Sequence, residues 1–233
     1  TFVYTGAVRS INSLIDSGDV GVLLYFESVR ISFGLVQSDI NVLWDLGPHD
    51  FSILTYLCDR DPISISATGA KHLGCPFENI VYVSARFEGN LIAHLHLNWL
   101  APVKVRRTLV GGSKKMIVYD DMETTEKVKV YGRGMSMNHD PQHRERLLTG
   151  YRNSDMVAPN LDIGEALRSM AQDFVDAIVN ERRPASDGYS GYRVVRLLEA
   201  AQRSLVQNGC PVDLRLQKIS SGEPNYPLAE VSA

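Results

Sequence analysis

In the stretch NVLWDLGPHDFSILTYLCD, residues 41–59, a carboxylate and an imidazole stand four residues apart, Asp45 and His49, beside Pro48. Four residues is just over one helical turn, so on a helix the two side chains share a face. A carboxylate that accepts from one imidazole nitrogen fixes the tautomer and stabilises the imidazolium formed on proton uptake, which is how a histidine base is tuned. The same pair also suits the surface or capped start of a buried helix, since ionisable pairs are often structural. Both readings stand at this level.

Other candidates are weaker. His94 and His96 alternate along a strand and present two imidazoles on one face, with His139 and His143 farther along. A metal site needs three or four converging ligands. A satisfied sheet face or a subunit contact explains the pair with less, and no metal is expected. A hydrolase using His94 and His96 on zinc therefore ranks last. VGGSKK reads as a basic hairpin rather than an anion-binding turn. Trp99 is assigned to packing, whereas Trp44, next to Asp45, is a candidate for the wall of a pocket.

The elements that must position these residues follow from periodicity. Val8, Ile11, Leu14 and Ile15 have helical spacing between Thr5 and Asp16, and Gly18 suits the helix end. Residues 20–33, rich in branched and aromatic side chains, form a long strand. Leu46, Ile53, Leu54 and Leu57 give 41–59 an apolar side. Pro48 leaves the Trp44 carbonyl without its helical donor, so the start of that helix is open. From about 62 to 131 the pattern changes to short strands separated by Glu88-Gly89-Asn90, Ala101-Pro102 and Gly111-Gly112-Ser113. Strands joined this tightly are expected to pair antiparallel. Residues 132–160 read as an irregular excursion. Two helices close the pattern, one capped by Asp162 with Glu165 three residues on, the other running from near Ser186 to Gly209. The expected fold is α+β: one large, open, mainly antiparallel sheet with helices on one face, in a single domain spanning 1–233.

Composition narrows the function. The 233 residues are 44% hydrophobic and carry a net charge of −3, enough apolar material for one sizeable core. The basic stretch 104–133 is diluted by Asp120, Asp121, Glu123 and Glu126, unlike a nucleic-acid stripe. No run approaches a membrane span. Three scattered cysteines, Cys58, Cys75 and Cys210, suit reduced thiols in a cytoplasmic protein. There is no GxGxxG between strand and helix, no GxxxxGK[ST] and no GxSxG, so this chain shows no phosphate cradle of its own. It opens TFVYTGAVRS, without Met and already patterned, which reads as the later part of a longer polypeptide.

Taken in order, FVYTGAVRSINSLIDSGDVG, WDLGPHDFSIL, HLHLNWLAPVKVRRTLVGGSKKMIVYDD and FVDAIVNERRPASDGYSGYRVVRLLEAAQRS resemble the C-terminal domain of the glucose–fructose oxidoreductase / inositol dehydrogenase family, Gfo/Idh/MocA. The most specific piece is D-x-G-x-H, here Asp45-Leu46-Gly47-Pro48-His49. The resemblance implies a glyceraldehyde-3-phosphate dehydrogenase-like C-terminal sheet domain whose N-terminal Rossmann partner is absent from this chain. It also implies NAD or NADP as cofactor and hydride transfer from a hydroxyl of a sugar or nucleotide-sugar. His49 is then the general acid/base, with Asp45 holding it and favouring its protonated form. Tyr4, Arg30 and Trp44, on flanking segments, become candidate substrate-binding residues, Arg30 for an anionic group. The family's upstream catalytic Lys has no counterpart here. Family members commonly dimerise or tetramerise through the open sheet face, so a homo-oligomer is expected, with neither nucleic acid nor membrane as partner. The alternative is a noncatalytic sugar-binding or oligomerisation module that has lost its cofactor domain.

Overall fold

Side chains along the strands alternate between buried and partly exposed because helices cover only one face of the sheet. The computed structural model describes residues 1–34, 37–132 and 155–215. After a 3-10 turn at Phe2–Tyr4 come α1 (Gly6–Asp16), β1 (Leu23–Phe33), α2 (Val42–Cys58), β2 (Ser64–Ala70), β3 (Ile80–Arg86) and β4 (Ile92–Asn98). There follow β5 (Leu100–Gly112), β6 (Met116–Asp120), β7 (Val128–Tyr131), β8 (Met156–Val157), α3 (Ala166–Val179), α4 (Gly188–Val206) and β9 (Val212–Asp213). The nine described strands lie in the order β8-β7-β6-β5-β1-β4-β3-β2-β9. Only β1 and β4 pair in parallel; the other described pairings are antiparallel. The architecture is the α+β open sheet expected from the pattern.

On the covered face, Phe26, Val83, Leu95, Leu97 and Ile117 pack with Leu43, Phe51 and Leu54 of α2 and Leu197, Leu198 and Ala201 of α4. Each such large side chain contributes about 1.5–3 kcal/mol by leaving water. The same face of β1 also carries Ser28 and Arg30, buried among these apolar neighbours. The opposite face carries Glu27, Tyr82, His94 and His96, and among the described residues no helix covers it.

Two sequence expectations need correction. β4 and β5 do not form a hairpin, although Ala101-Pro102 reads as a turn. β1 lies between them, parallel to β4 and antiparallel to β5. The chain crosses from one side of β1 to the other at Trp99, whose carbonyl accepts from Gly34 N at 3.4 Å. Pro102 is exposed near the start of β5, a place where a strand tolerates its missing N–H. The second correction concerns Asp162. It does not cap α3; Glu165 is the N-cap, and Asp162 Oδ1 instead accepts from Gly164 N two residues on, a local turn that competes with helix. Residues 133–154, most of the expected excursion and the site of His139 and His143, lie outside the described residues.

Candidate active site

Helix α2 begins where Asn41 caps it: the Asn41 side chain accepts from Trp44 N. Asn41 Nδ2 in turn donates to Glu78 Oε2 at 3.0 Å and Gln202 Oε1 at 2.8 Å, tying the helix start to β3's approach and to α4. Trp44 Nε1 donates to the same Gln202 oxygen at 3.2 Å. One turn of helix then presents Asp45, partly buried, and His49, exposed.

The two side chains are supported separately. Asp45 Oδ2 accepts from Trp99 Nε1 at 2.8 Å. No hydrogen bond links Asp45 to His49, so the structure does not show the expected carboxylate–imidazole dyad. The His49 ring makes an edge-on contact with Phe2, centroids 5.3 Å apart, and its nitrogens have no hydrogen-bond partner among the described residues. Its pKa is lowered from the ordinary 6.5, first by partial burial and then by the Arg30 guanidinium; Arg106 adds to this and Asp50 opposes it. The field around His49 thus favours the neutral base, contrary to the expectation that Asp45 stabilises its protonated form.

Beneath His49 lies a buried ionic floor. Asp50, 1% exposed, accepts from Arg30 Nε at 2.9 Å, Arg30 Nη2 at 3.0 Å and Ser28 Oγ at 2.9 Å. Arg30 is 5% exposed, and the Phe2 ring lies over its guanidinium at 4.7 Å. Its Nη1 has no partner among the described residues. A two-pronged pair of this kind fixes geometry as well as charge.

Placement of the other candidates follows from these contacts. Tyr4, 2% exposed, donates its hydroxyl to Asp173 Oδ2 at 2.8 Å and accepts from Ser186 N at 3.1 Å. Burial, and next Asp173, push its pKa up to about 12. Tyr4 therefore braces α3 and the approach to α4. Arg30 has two of its nitrogens on Asp50, and Trp44 points its N–H at Gln202. The sequence reading passed over Asp50, Ser28, Phe2 and Arg106, and took Trp99 only as packing. A signal for the first two was present. Arg30 and Ser28 occupy the inward register of β1, and Asp50 interrupts an apolar helix face, so each needs a buried partner. His94 and His96 stack with Tyr82, at 6.1 and 4.4 Å between centroids, on the open face. Among the described residues no group of three or more His, Cys, Asp or Glu is arranged to hold a metal.

A cleft of about 730 Å³ opens on the helical side of the molecule, lined by Asn12, Tyr56, Ser190 and Arg193 among others, and contains neither Asp45 nor His49. The dinucleotide implied by the resemblance needs a glycine-rich strand-to-helix turn for its phosphates. The two passages from a described strand directly into an α-helix, GLVQSDIN between β1 and α2 and APNLDIGE between β8 and α3, have a single glycine each. The residues present do not fit the phosphates of NAD or NADP.

The open sheet with helices on one face is a fold shared with known proteins. Residues 8–118 match the family described as GFO/IDH/MocA C-terminal domain. Among solved structures it is similar to UDP-N-acetylglucosamine 3-dehydrogenase GnnA from Acidithiobacillus ferrooxidans, at 20% identity and a TM-score of 0.68, over 87% of this chain and 62% of that one. A NAD binding oxidoreductase from Klebsiella pneumoniae aligns at 16% identity and a TM-score of 0.71, over 91% and 64%. Levoglucosan dehydrogenase, in complex with NADH and levoglucosan, aligns at 15% identity and 0.71, also over 91% and 64%. The chain thus spans less than two thirds of each of these proteins. No curated protein matches it by sequence.

Proposed function

We propose that this domain is the substrate-binding and proton-handling part of an NAD(P)-dependent oxidoreductase acting on a hydroxyl of a sugar or nucleotide-sugar. The observation that carries the reading is His49: an exposed residue whose ring nitrogens are unbonded among the described residues, with a carboxylate one helical turn away. The nicotinamide, bound by residues outside this chain, supplies the hydride acceptor. What the chain itself contributes is the proton. In the oxidation direction an imidazole nitrogen of His49 takes the hydroxyl proton, and in reduction it returns it. Partial burial, and next Arg30 and Arg106, favour the neutral imidazole that can accept. Asp45 offers its unbonded oxygen to a substrate hydroxyl; Trp44 borders the site with its N–H on Gln202, and Arg30 with two nitrogens on Asp50 and Nη1 unpartnered among the described residues.

The test uses the complete enzyme with NAD and NADP, against UDP-N-acetylglucosamine and levoglucosan as probe sugars. A well-placed base contributes about 10²–10⁴ in rate, so His49→Ala should lose that much turnover with an unchanged melting temperature. Near-wild-type turnover would sink the assignment.

The open sheet face supports a second part of the proposal, a homo-oligomer. Tyr82 and Ile92, 42% and 45% exposed, flank the stacked histidines there, and a sheet face this broad buries itself in a partner copy. Sedimentation at micromolar concentration is expected to show a dimer or larger; a monomer would contradict it. The free cysteines support a cytoplasmic setting; Cys58 is buried, and burial pushes its thiol up to about 12. No helix among the described residues is long and apolar enough to cross a membrane.

A further inference from the structure

Asp45 makes one side-chain hydrogen bond among the described residues, and it comes from the sheet rather than from its own helix. Trp99, 2% exposed, donates its indole N–H to Asp45 Oδ2 at 2.8 Å. An indole is a donor only, so a buried Trp needs one acceptor for that hydrogen. A Phe would fill most of the same space without that need. Trp99 is itself fixed at both backbone groups. Its N–H donates to the Asn79 carbonyl at 3.0 Å and its carbonyl accepts from Gly34 N. Asn79, 0% exposed, is held in turn by His72: its Nδ2 donates to the His72 carbonyl at 2.9 Å and its Oδ1 accepts from His72 N at 3.2 Å. The residue that aims at Asp45 thus sits at the crossing where β4 gives way to β5, held at both its backbone groups.

We infer that Trp99 is a positioning residue: its indole N–H pins one oxygen of Asp45 to the sheet and leaves the other turned toward the hydroxyl-bearing substrate. The inference rests on the reading of Asp45 and His49 given above. It separates the two roles that a dyad would merge. Asp45 receives a substrate hydroxyl from a fixed position on the sheet, while His49, unattached to it, exchanges the proton. The first turn of α2 alone could not hold the carboxylate this firmly, because two and three residues on, Gly47 and Pro48 weaken the helix that carries it.

A positioning residue must act through the group it positions, which a double-mutant cycle isolates. In the complete enzyme, Trp99→Phe should lower kcat/KM by about 10²-fold or less, the scale of a misplacement near 1 Å. Asp45→Asn should lower it further, and adding Trp99→Phe to Asp45→Asn should cost nothing more. The cycle is run on whichever probe sugar the panel above turns over, with melting temperatures recorded for each variant. A second readout stays independent of Trp99→Phe folding. In ¹⁵N-labelled enzyme with Trp99 intact, the Trp99 indole resonance should move on Asp45→Asn and hold still on His49→Ala. Additive losses in the cycle, or an indole resonance indifferent to Asp45→Asn, overturn the inference while leaving His49 in place. Full activity of Asp45→Asn, or no oxidation of any panel sugar, overturns the underlying reading and this inference with it.

Discussion

The floor of the site, Ser28–Arg30–Asp50, and its corner, Asp45–Trp99, put two carboxylates five residues apart on α2 to different uses. Asp50 is enclosed and accepts three hydrogen bonds, both oxygens engaged. Asp45 is half-buried, with one oxygen on an indole and the other unbonded. A carboxylate with both oxygens engaged holds structure together; one with an oxygen to spare can meet a substrate. Proximity to His49 in sequence does not decide between them, since Asp50 is its direct neighbour and Asp45 its partner by helical spacing. The distribution of donors decides.

The largest expected effect breaks the floor. Asp50→Ala leaves Arg30 charged and buried without its partner, which costs about 3–5 kcal/mol and is measured by denaturant unfolding. The double variant Arg30→Met with Asp50→Leu should recover most of that loss, because removing both charges leaves nothing unpaired. If the double variant is as unstable as the single one, the floor is not the ionic pair described. Next in size is Tyr4→Phe. It removes the donor to Asp173 and strands the Ser186 N–H, at a cost of roughly 1 kcal/mol, with kcat unchanged. A loss of kcat without loss of stability would return Tyr4 to the substrate side.

The smallest effect sharpens the comparison at His49. Arg106→Gln removes one cation that lowers the His49 pKa, so the acid limb of kcat/KM should move to higher pH. The stability consequence has a definite sign. The folded pKa of His49 lies below its unfolded value of 6.5, so the unfolded chain binds the proton more readily. The His49 contribution to stability is therefore present above that value and declines as pH falls below it and through the folded pKa, less steeply in Arg106→Gln. An acid limb that stays put would remove Arg106 from the site.

Much of this was readable in local pattern. Helical spacing located α1, α2 and α4, and alternation in AHLHLNW sorted β4 correctly into Ala93, Leu95 and Leu97 inward and His94 and His96 outward. The Asp45/His49 turn was legible because four-residue spacing is a local property. The Arg30–Asp50 pair was half legible: each residue breaks an apolar face, but only packing shows that they meet. Trp99 as a donor to Asp45 was not legible at all. That contact depends on β1 inserting between β4 and β5, a long-range pairing that the turn-like Ala101-Pro102 concealed. The Asp162 error has a different origin. Two local hydrogen-bonding schemes, a cap and a two-residue turn, compete there on nearly equal sequence terms.

Gly47 lies between the two candidate residues, and a methyl group placed on it would sit 3.1 Å from Leu198 of α4 and 3.5 Å from Leu97 of β4. With Pro48 next in line, this segment carries penalties of about 1 and about 3 kcal/mol against forming helix at all. A peptide of residues 41–59 would not hold this turn in water. The turn is shaped by its neighbours, so Asp45 and His49 keep their places only while α4 and the sheet press on Gly47. The capacity for chemistry is in this sense a collective property of the layer, and loosening at the α2–α4 contact should be felt in turnover before the remainder of the sheet gives way.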